Sequence, residues 1–267
     1  MVVGADLGSR TIKVAAVEES RLVDFQIEES GYDPHRQSLE MLKRYHPARI
    51  IATGYGRHLA KRHFADDVIT EIKAHALGAR YFFPECRTII DVGGQDTKVI
   101  ALDRNGRVLN FQMNDKCAAG TGRFLEIMAS SLGFSLSEFG PEALKGKGDV
   151  RISNMCTVFA ESEVISLKNH GTLSADIARA VHQSVIERLI AMLARLGHGD
   201  SMVFTGGVAK NPAAVNLLQE RLAVKIQVPE PPDIVGAIGA ALYGETAAAG
   251  ITADGCQDNK LQTQIKA

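Results

Sequence analysis

The feature that most constrains this chain is a repeat. The stretch Asp6-Leu7-Gly8-Ser9-Arg10-Thr11-Ile12-Lys13 recurs as Asp91-Val92-Gly93-Gly94-Gln95-Asp96-Thr97-Lys98, with Asp, Gly and Lys in the same first, third and eighth places. Further along, Arg21-Leu22-Val23-Asp24-Phe25-Gln26 recurs as Arg107-Val108-Leu109-Asn110-Phe111-Gln112. Chance supplies either match alone; both in the same order point to a duplicated unit. The second copy is one residue longer between its two matches, as a longer turn requires. Each copy opens with a strand, an Asp-x-Gly turn and a second strand, so the chain reads as two related α/β halves.

The rest of the pattern fits that frame. Residues 1–27 read as three short strands. A helix is expected from about Pro34 to Tyr45, with Pro at its start. A strand over 48–53 ends in Gly54-Tyr55-Gly56, and a helix over 71–82 stops at Pro84. The second copy supplies strands over 87–92, 96–102 and 107–113, with Asp103-Arg104-Asn105-Gly106 as a hairpin turn. Beyond it the chain is more helical. Helices are expected over 120–132, over 157–169 with Ser153 and Asn154 as caps, and over 174–196. A strand over 201–205 runs into Gly206-Gly207, a helix follows with Pro212 near its start, and 236–244 form a small-residue helix. The expected division is a first lobe of residues 1–86 plus 233–247, a second of 87–232 carrying the candidate cysteines, and a mobile polar tail over 248–267.

Composition narrows the function classes. Of 267 residues, 45% are hydrophobic and 23% charged, which fits a globular core and not disorder. A net charge of −1 argues against a nucleic-acid or membrane-surface partner held by bulk charge. No apolar run approaches the roughly 18 residues of a membrane span, and no basic start leads into a long apolar stretch, so a cytoplasmic protein is expected. The four cysteines, Cys86, Cys117, Cys156 and Cys256, include no C-x-x-C pair. That leaves no single-chain zinc pattern, and structural disulfides are not expected in a reducing compartment.

The chemistry lies in the turns. A glycine after a strand lets backbone N–H groups approach a phosphate closely. Gly8, Ser9, Gly93 and Gly94 are therefore candidate phosphate cradles, with Thr11 and Thr97 as added donors and Lys13 and Lys98 as added charge. An aspartate at a strand end holds magnesium through water, which makes Asp6 and Asp91 candidates. Gln95 is placed to orient an attacking water, a role glutamine plays in other nucleotide hydrolases. Gly206 and Gly207, in Thr205-Gly206-Gly207-Val208-Ala209-Lys210-Asn211-Pro212, would let a base and ribose lie on the backbone, bordered by Lys210 and Asn211. The bland alternative is a set of ordinary turns, but two copies plus a third glycine pair favour a clamp on a polyphosphate. The G-x-x-x-x-G-K-[ST] pattern is absent, so this is not a P-loop site.

Cys117 and Cys156 each lie at a predicted helix start, where the helix dipole favours thiolate. The alternative for each is a small buried apolar residue. Two thiolates are too few for an iron–sulfur cube, although a twofold dimer supplies four if the pair lies on the axis. Cys86 reads as core and Cys256 as tail. Residues 57–63, with His58 and His63, read as a solvated basic helix face. Glu161 and Glu163 read as surface or cap residues, with Glu161 the one that has a chance of facing the cleft.

Taken together, DLGSRTIK, DVGGQDTK, NDKCAAGTGRFLE, CTVFAESEV, TGGVAKNP and PEPPDIVGAIGAALYG resemble the ATP-dependent activators of 2-hydroxyacyl-CoA dehydratases and the ATP-binding subunits of benzoyl-CoA reductase. The resemblance covers about residues 1–247, and the two cysteine stretches are its most specific part. The turns alone fit the wider superfamily of acetate and sugar kinases, heat-shock chaperone ATPases and actin. The resemblance implies two related ribonuclease-H-like lobes of the actin-like ATPase type with a nucleotide cleft between them. It implies a homodimer with one 4Fe-4S cluster, whose ligands are Cys117 and Cys156 of both subunits. It also implies magnesium with ATP or ADP in each cleft, and hydrolysis that drives one electron from ferredoxin or flavodoxin to a partner iron–sulfur dehydratase or reductase. Arg10 departs from the family pattern, where Ser or Thr is usual. Two rival readings remain: a sugar or acyl kinase, which needs no paired cysteines, and a nucleotide-gated assembly protein free of iron.

Overall fold

The computed structural model describes residues 1–153, 156–197, 199 and 201–248. Its first sheet contains β1 (Val2–Leu7), β2 (Thr11–Glu18), β3 (Arg21–Glu29), β4 (Arg49–Thr53) and β5 (Asp67–Val68), in the order β3-β2-β1-β4-β5. β1 is buried along its whole length, as a central strand covered on both faces must be. It pairs antiparallel with β2 and parallel with β4. Around this sheet lie α1 (Pro34–Leu42), α2 (Arg57–His63) and α3 (Glu71–Phe82).

The second sheet repeats the scheme. It contains β6 (Thr88–Val92), β7 (Thr97–Leu102), β8 (Val108–Asn114), β9 (Met202–Thr205) and β10 (Ile226–Gln227), in the order β10-β9-β6-β7-β8. β6 pairs antiparallel with β7 and parallel with β9. The duplication is visible in register: Asp6 faces Lys13 across β1 and β2, and Asp91 faces Lys98 across β6 and β7. Packed on this half are α4 (Gly122–Leu132), α5 (Leu136–Lys145), α6 (Thr157–Asn169), α7 (Ser174–Leu196) and α8 (Pro212–Leu222). Their core joins Phe124 and Met128 of α4, Phe139 of α5, Val181 and Leu189 of α7 and Leu218 of α8 to Ile90 and Phe204 of the sheet.

The last helix, α9 (Val235–Ala248), returns to the first sheet and packs on β1, β2, β4 and α3. Its approach depends on small residues: a Cβ on Gly4 would collide with the Ala237 carbonyl, and one on Gly239 with the Ala74 carbonyl. α3 is shared between the halves. Its Ile72, Ala76 and Ala79 pack with Ile89, Ile100 and Leu102 of the second sheet and with Val235.

Several boundaries differ from expectation. The first helix ends at Leu42, not near Tyr45. α5 was not anticipated, although Ser135 and Glu138 form a capping box at its start. Ser153 does not cap α6: Cys156 is the N-cap residue, and Ser153 donates to Glu163 instead. The expected tail begins at 248, but Ala248 closes the last helix; Asn154 and residues 249–267 lie outside the described residues.

Candidate nucleotide site and cysteine pair

Both Asp-x-Gly turns are closed by the same bond. Gly8 N–H donates to the Thr11 carbonyl at 3.1 Å, and Gly93 N–H to the Asp96 carbonyl at 3.0 Å. The turns abut across the cleft, so closely that a Cβ on Gly94 would lie 2.7 Å from Arg10 Cβ. Between them lies a cavity of about 700 Å³. It is lined by Asp6, Gly8, Ser9, Thr11 and Lys13 from the first turn and by Asp91, Gly93, Gly94 and Gln95 from the second. Gly206, Gly207, Lys210 and Asn211 complete the wall. One pocket thus gathers the residues that the sequence assigns to nucleotide or magnesium, except Thr97, which is buried outside it with its hydroxyl donating to the Gly120 carbonyl.

The two aspartates sit in different electrostatic settings. Asp6 has Lys13 Nζ at 3.1 Å. Burial works to lower the Lys13 pKa, but Asp6 outweighs it and holds the ammonium above its ordinary value. Asp91 is far more heavily bound. It accepts from Thr205 Oγ1 at 2.9 Å, pairs with His75 Nε2 at 3.1 Å and has Lys98 Nζ at 3.3 Å. Burial opposes its ionisation, yet the His75 and Lys98 charges hold it well below the usual carboxylate range. Burial likewise opposes the charge on His75, and Asp91 overrides it, raising the imidazole to about 9. Lys98 is only 2% exposed and also meets Glu71 and Asp96, each at 2.7 Å.

Sequence reasoning missed His75, Glu71, Thr205 and Asp233 as parts of this site. His75 and Glu71 carried a weak signal, being one turn apart on a predicted helix. Asp233 stands at the start of the α9 stretch. Its Oδ2 accepts from Lys210 at 2.6 Å, while its buried Oδ1 faces no hydrogen-bond partner. Asn211 lines the cavity, but its side chain is committed elsewhere. Its oxygen caps α8 by accepting from Ala213 and Ala214, and its amide faces His182 Nε2 at 2.9 Å. His182 Nδ1 faces the Ala178 carbonyl at 2.7 Å, so that nitrogen donates and Nε2 accepts. Burial lowers the His182 pKa to about 4, which keeps it neutral.

The second turn is tied directly to a cysteine loop. Gly122 N–H donates to the Gly93 carbonyl and Arg123 N–H to the Gly94 carbonyl, both at 2.8 Å. Thr97 Oγ1 donates to the Gly120 carbonyl at 2.8 Å. A Cβ on Gly122 would sit 3.0 Å from the Gly93 carbonyl oxygen, so a larger residue there crowds the turn. Cys117 is exposed in the loop leading to α4, and the Asn114 amide holds its carbonyl at 3.0 Å. Cys156, also exposed, begins α6, which packs on α4. Cys86 is buried, and burial pushes the thiol up to about 12. Cys256 lies outside the described residues. Glu161 accepts from Ser131 and is not among the cavity residues, and Glu163 is taken up by Ser153. Among the described residues, no helix is long and apolar enough to cross a membrane.

Residues 3–244 match the BadF/BadG/BcrA/BcrD ATPase family. The chain belongs to that family. It is 42% identical over 257 residues to the (R)-2-hydroxyglutaryl-CoA dehydratase activating ATPase of Acidaminococcus fermentans, covering 92% of this chain and 97% of the relative. The fold matches the activator of the 2-hydroxyisocaproyl-CoA dehydratase from Clostridium difficile with bound ADPNP. The TM-score is 0.86 at 38% identity, over 96% of this chain and 99% of that one. A ROK family glucokinase from Streptomyces griseus shares the fold at a TM-score of 0.59 and 13% identity, covering 91% of this chain and 98% of that one. The family membership and the two-lobed α/β fold expected from the motifs are therefore established.

Proposed function

We propose that this chain hydrolyses ATP in the cleft and couples hydrolysis to one-electron transfer into a partner iron–sulfur dehydratase or reductase. The observation that carries this reading is the pair of bonds from the Gly93-Gly94 turn to the first residues of α4, a few residues beyond Cys117. A change of shape at the phosphates then has a short path to a thiol. The naming of relatives as dehydratase activators supports the reading, and reduced ferredoxin or flavodoxin is the proposed electron source.

The residues present fit the groups the family implies. For magnesium, Asp6 and Asp91 line the cavity, and the orphaned Oδ1 of Asp233 adds a third carboxylate oxygen. Asp91 already serves three partners, so its role is to hold metal-bound water. For a 4Fe-4S cluster, Cys117 and Cys156 are two exposed thiols at the starts of two packed helices, and a second copy completes four. Exposed Val158 and Phe159 beside Cys156 give that face an apolar border. Bound there, the cluster would supply a one-electron store.

Within the cleft, N–H groups of Gly8, Ser9, Gly93 and Gly94 cradle phosphates, with Thr11 as an added donor. Lys13 offsets phosphate charge and Gln95 orients the attacking water beside Asp91. Gly206, Gly207, Lys210 and Asn211 border adenosine. The lobes that close on ATP are residues 1–86 with 233–247, and 87–232. ATP alters electron transfer only by binding one shape better than the other. The test is anaerobic purification with iron analysis. About one cluster per dimer is expected from the four-thiolate count. Cys117→Ser should lose iron yet keep ADPNP binding. Wild-type protein without iron, even after reconstitution, overturns the electron-transfer reading.

A further inference from the structure

α7 packs against both α4 and α6, the helices that follow the two cysteines. Arg188 lies on α7, and its guanidinium carbon is 5.7 Å from the ring centroid of Phe124, which is fully buried on α4. Its stem lies against Gly120, which has φ +86°; a Cβ there would come within 3.2 Å of Arg188 Cδ. Gly120 is three residues past Cys117, and its carbonyl is fixed by Thr97. The loop therefore leaves room for this side chain and holds it in place. Burial disfavours its charge and holds its pKa below the ordinary arginine value, with Cys117 and Cys156 opposing that shift. Arg188 thus stands against the Cys117 loop, on the helix that packs on both helices following the cysteines.

We propose that Arg188 is a positioning residue for the Cys117–Cys156 pair, a permanent positive charge that makes the group they hold easier to reduce. The inference rests on the electron-transfer reading above. An arginine stays protonated throughout the working range of pH. Cys117 and Cys156 would hold the cluster, which would supply a one-electron acceptor; the electron would come from a reduced ferredoxin or flavodoxin, itself oxidised by one. The acceptor gains one negative charge, which a neighbouring cation stabilises. Phe124 and Gly120 set where that cation sits; the charge sets how strongly it acts.

The test compares Arg188→Met, which keeps a stem without charge, with Arg188→Lys, which keeps the charge. Iron per dimer and the midpoint of an EPR-monitored reductive titration are measured on the full-length dimer without nucleotide. Arg188→Met should lower the reduced-to-oxidised ratio about tenfold at a given potential, about 59 mV for one electron. Arg188→Lys should restore most of that shift. Loss of iron from the Met variant alone, with ADPNP binding intact, also supports the role. A wild-type midpoint in Arg188→Met overturns it, as does an equal shift or equal loss of iron in both variants. Arg188→Gln carries the same comparison if the Met variant does not fold. Iron-free wild type would sink the cluster reading itself and this role with it, whereas loaded wild type with unshifted variants sinks only Arg188.

Discussion

The first Asp-x-Gly hairpin and the second share a register and differ in what is fastened to them. In the first, Asp6 has Lys13, and the turn contacts the other half through its Arg10 side chain, 3.1 Å from Glu126 of α4. In the second, Asp91 is gripped by Thr205, His75 and Lys98, and the turn's carbonyls hold the first N–H groups of α4. A duplicated unit has thus been put to two uses. The first turn is a loosely attached wall of the cleft. The second is wired through the protein to the loop that presents Cys117.

The largest expected contrast is in stability. Lys98→Met strips the cation from Asp91, Glu71 and Asp96 in a buried setting and should cost about 4 kcal/mol. Lys13→Met removes one partner of a single pair and should cost about 2 kcal/mol. Urea unfolding of both variants checks the ratio; equal losses would erase the distinction between the turns. Next in size, Gln95→Ala should slow hydrolysis about 100-fold, with a much smaller effect on ADPNP binding. Ser9→Ala on the other wall should instead weaken binding about fivefold. Steady-state ATPase rates and calorimetry separate the two; equal losses in rate and affinity for Gln95→Ala would mean its role is misplaced.

A third contrast is in pH. His75 titrates at about 9 in the fold against an ordinary 6.5, so its stabilising pair with Asp91 is complete below about pH 6.5 and fades as pH rises through 9. Stability should fall by about 2 kcal/mol between pH 7 and pH 9, and His75→Gln should flatten that slope. Thermal melts across this range read it directly. The smallest effect belongs to Arg10. Its pair with Glu126 is half exposed, so Arg10→Ser should change stability by less than about 1 kcal/mol and leave the Gly93–Gly122 link in place.

The strand pairs and cleft-lining residues were legible because a period-two pattern and repeated Asp-x-Gly-to-Lys spacing fix which residues face each other across a hairpin. The cation network was not. His75 and Glu71 enter the site only because α3 lies between the sheets, and that placement depends on Gly78 and Gly239 letting α9 come close. α5 carried its capping signal in plain sight, but Pro141 inside it argues against a helix. Ser153 has good cap chemistry and lost that role because Glu163, about two turns into α6, draws its side chain away. Asn211 lines the cavity as expected, while its side chain also caps α8 and faces His182. In each case the local signal was real and a contact distant in sequence decided its use.

Gly93, Gly94, Thr97 and the start of α4 form the path by which the second turn would pass its state to the Cys117 loop. Hydrogen–deuterium exchange with and without ADPNP tests it most directly. Peptides spanning 91–98 and 114–125 should gain protection together, and Gly122→Ala should leave protection at 91–98 while abolishing it at 114–125. Protection confined to 91–98 in the wild type, or a Gly122→Ala pattern identical to the wild type's, would mean that the turn and the Cys117 loop are not coupled.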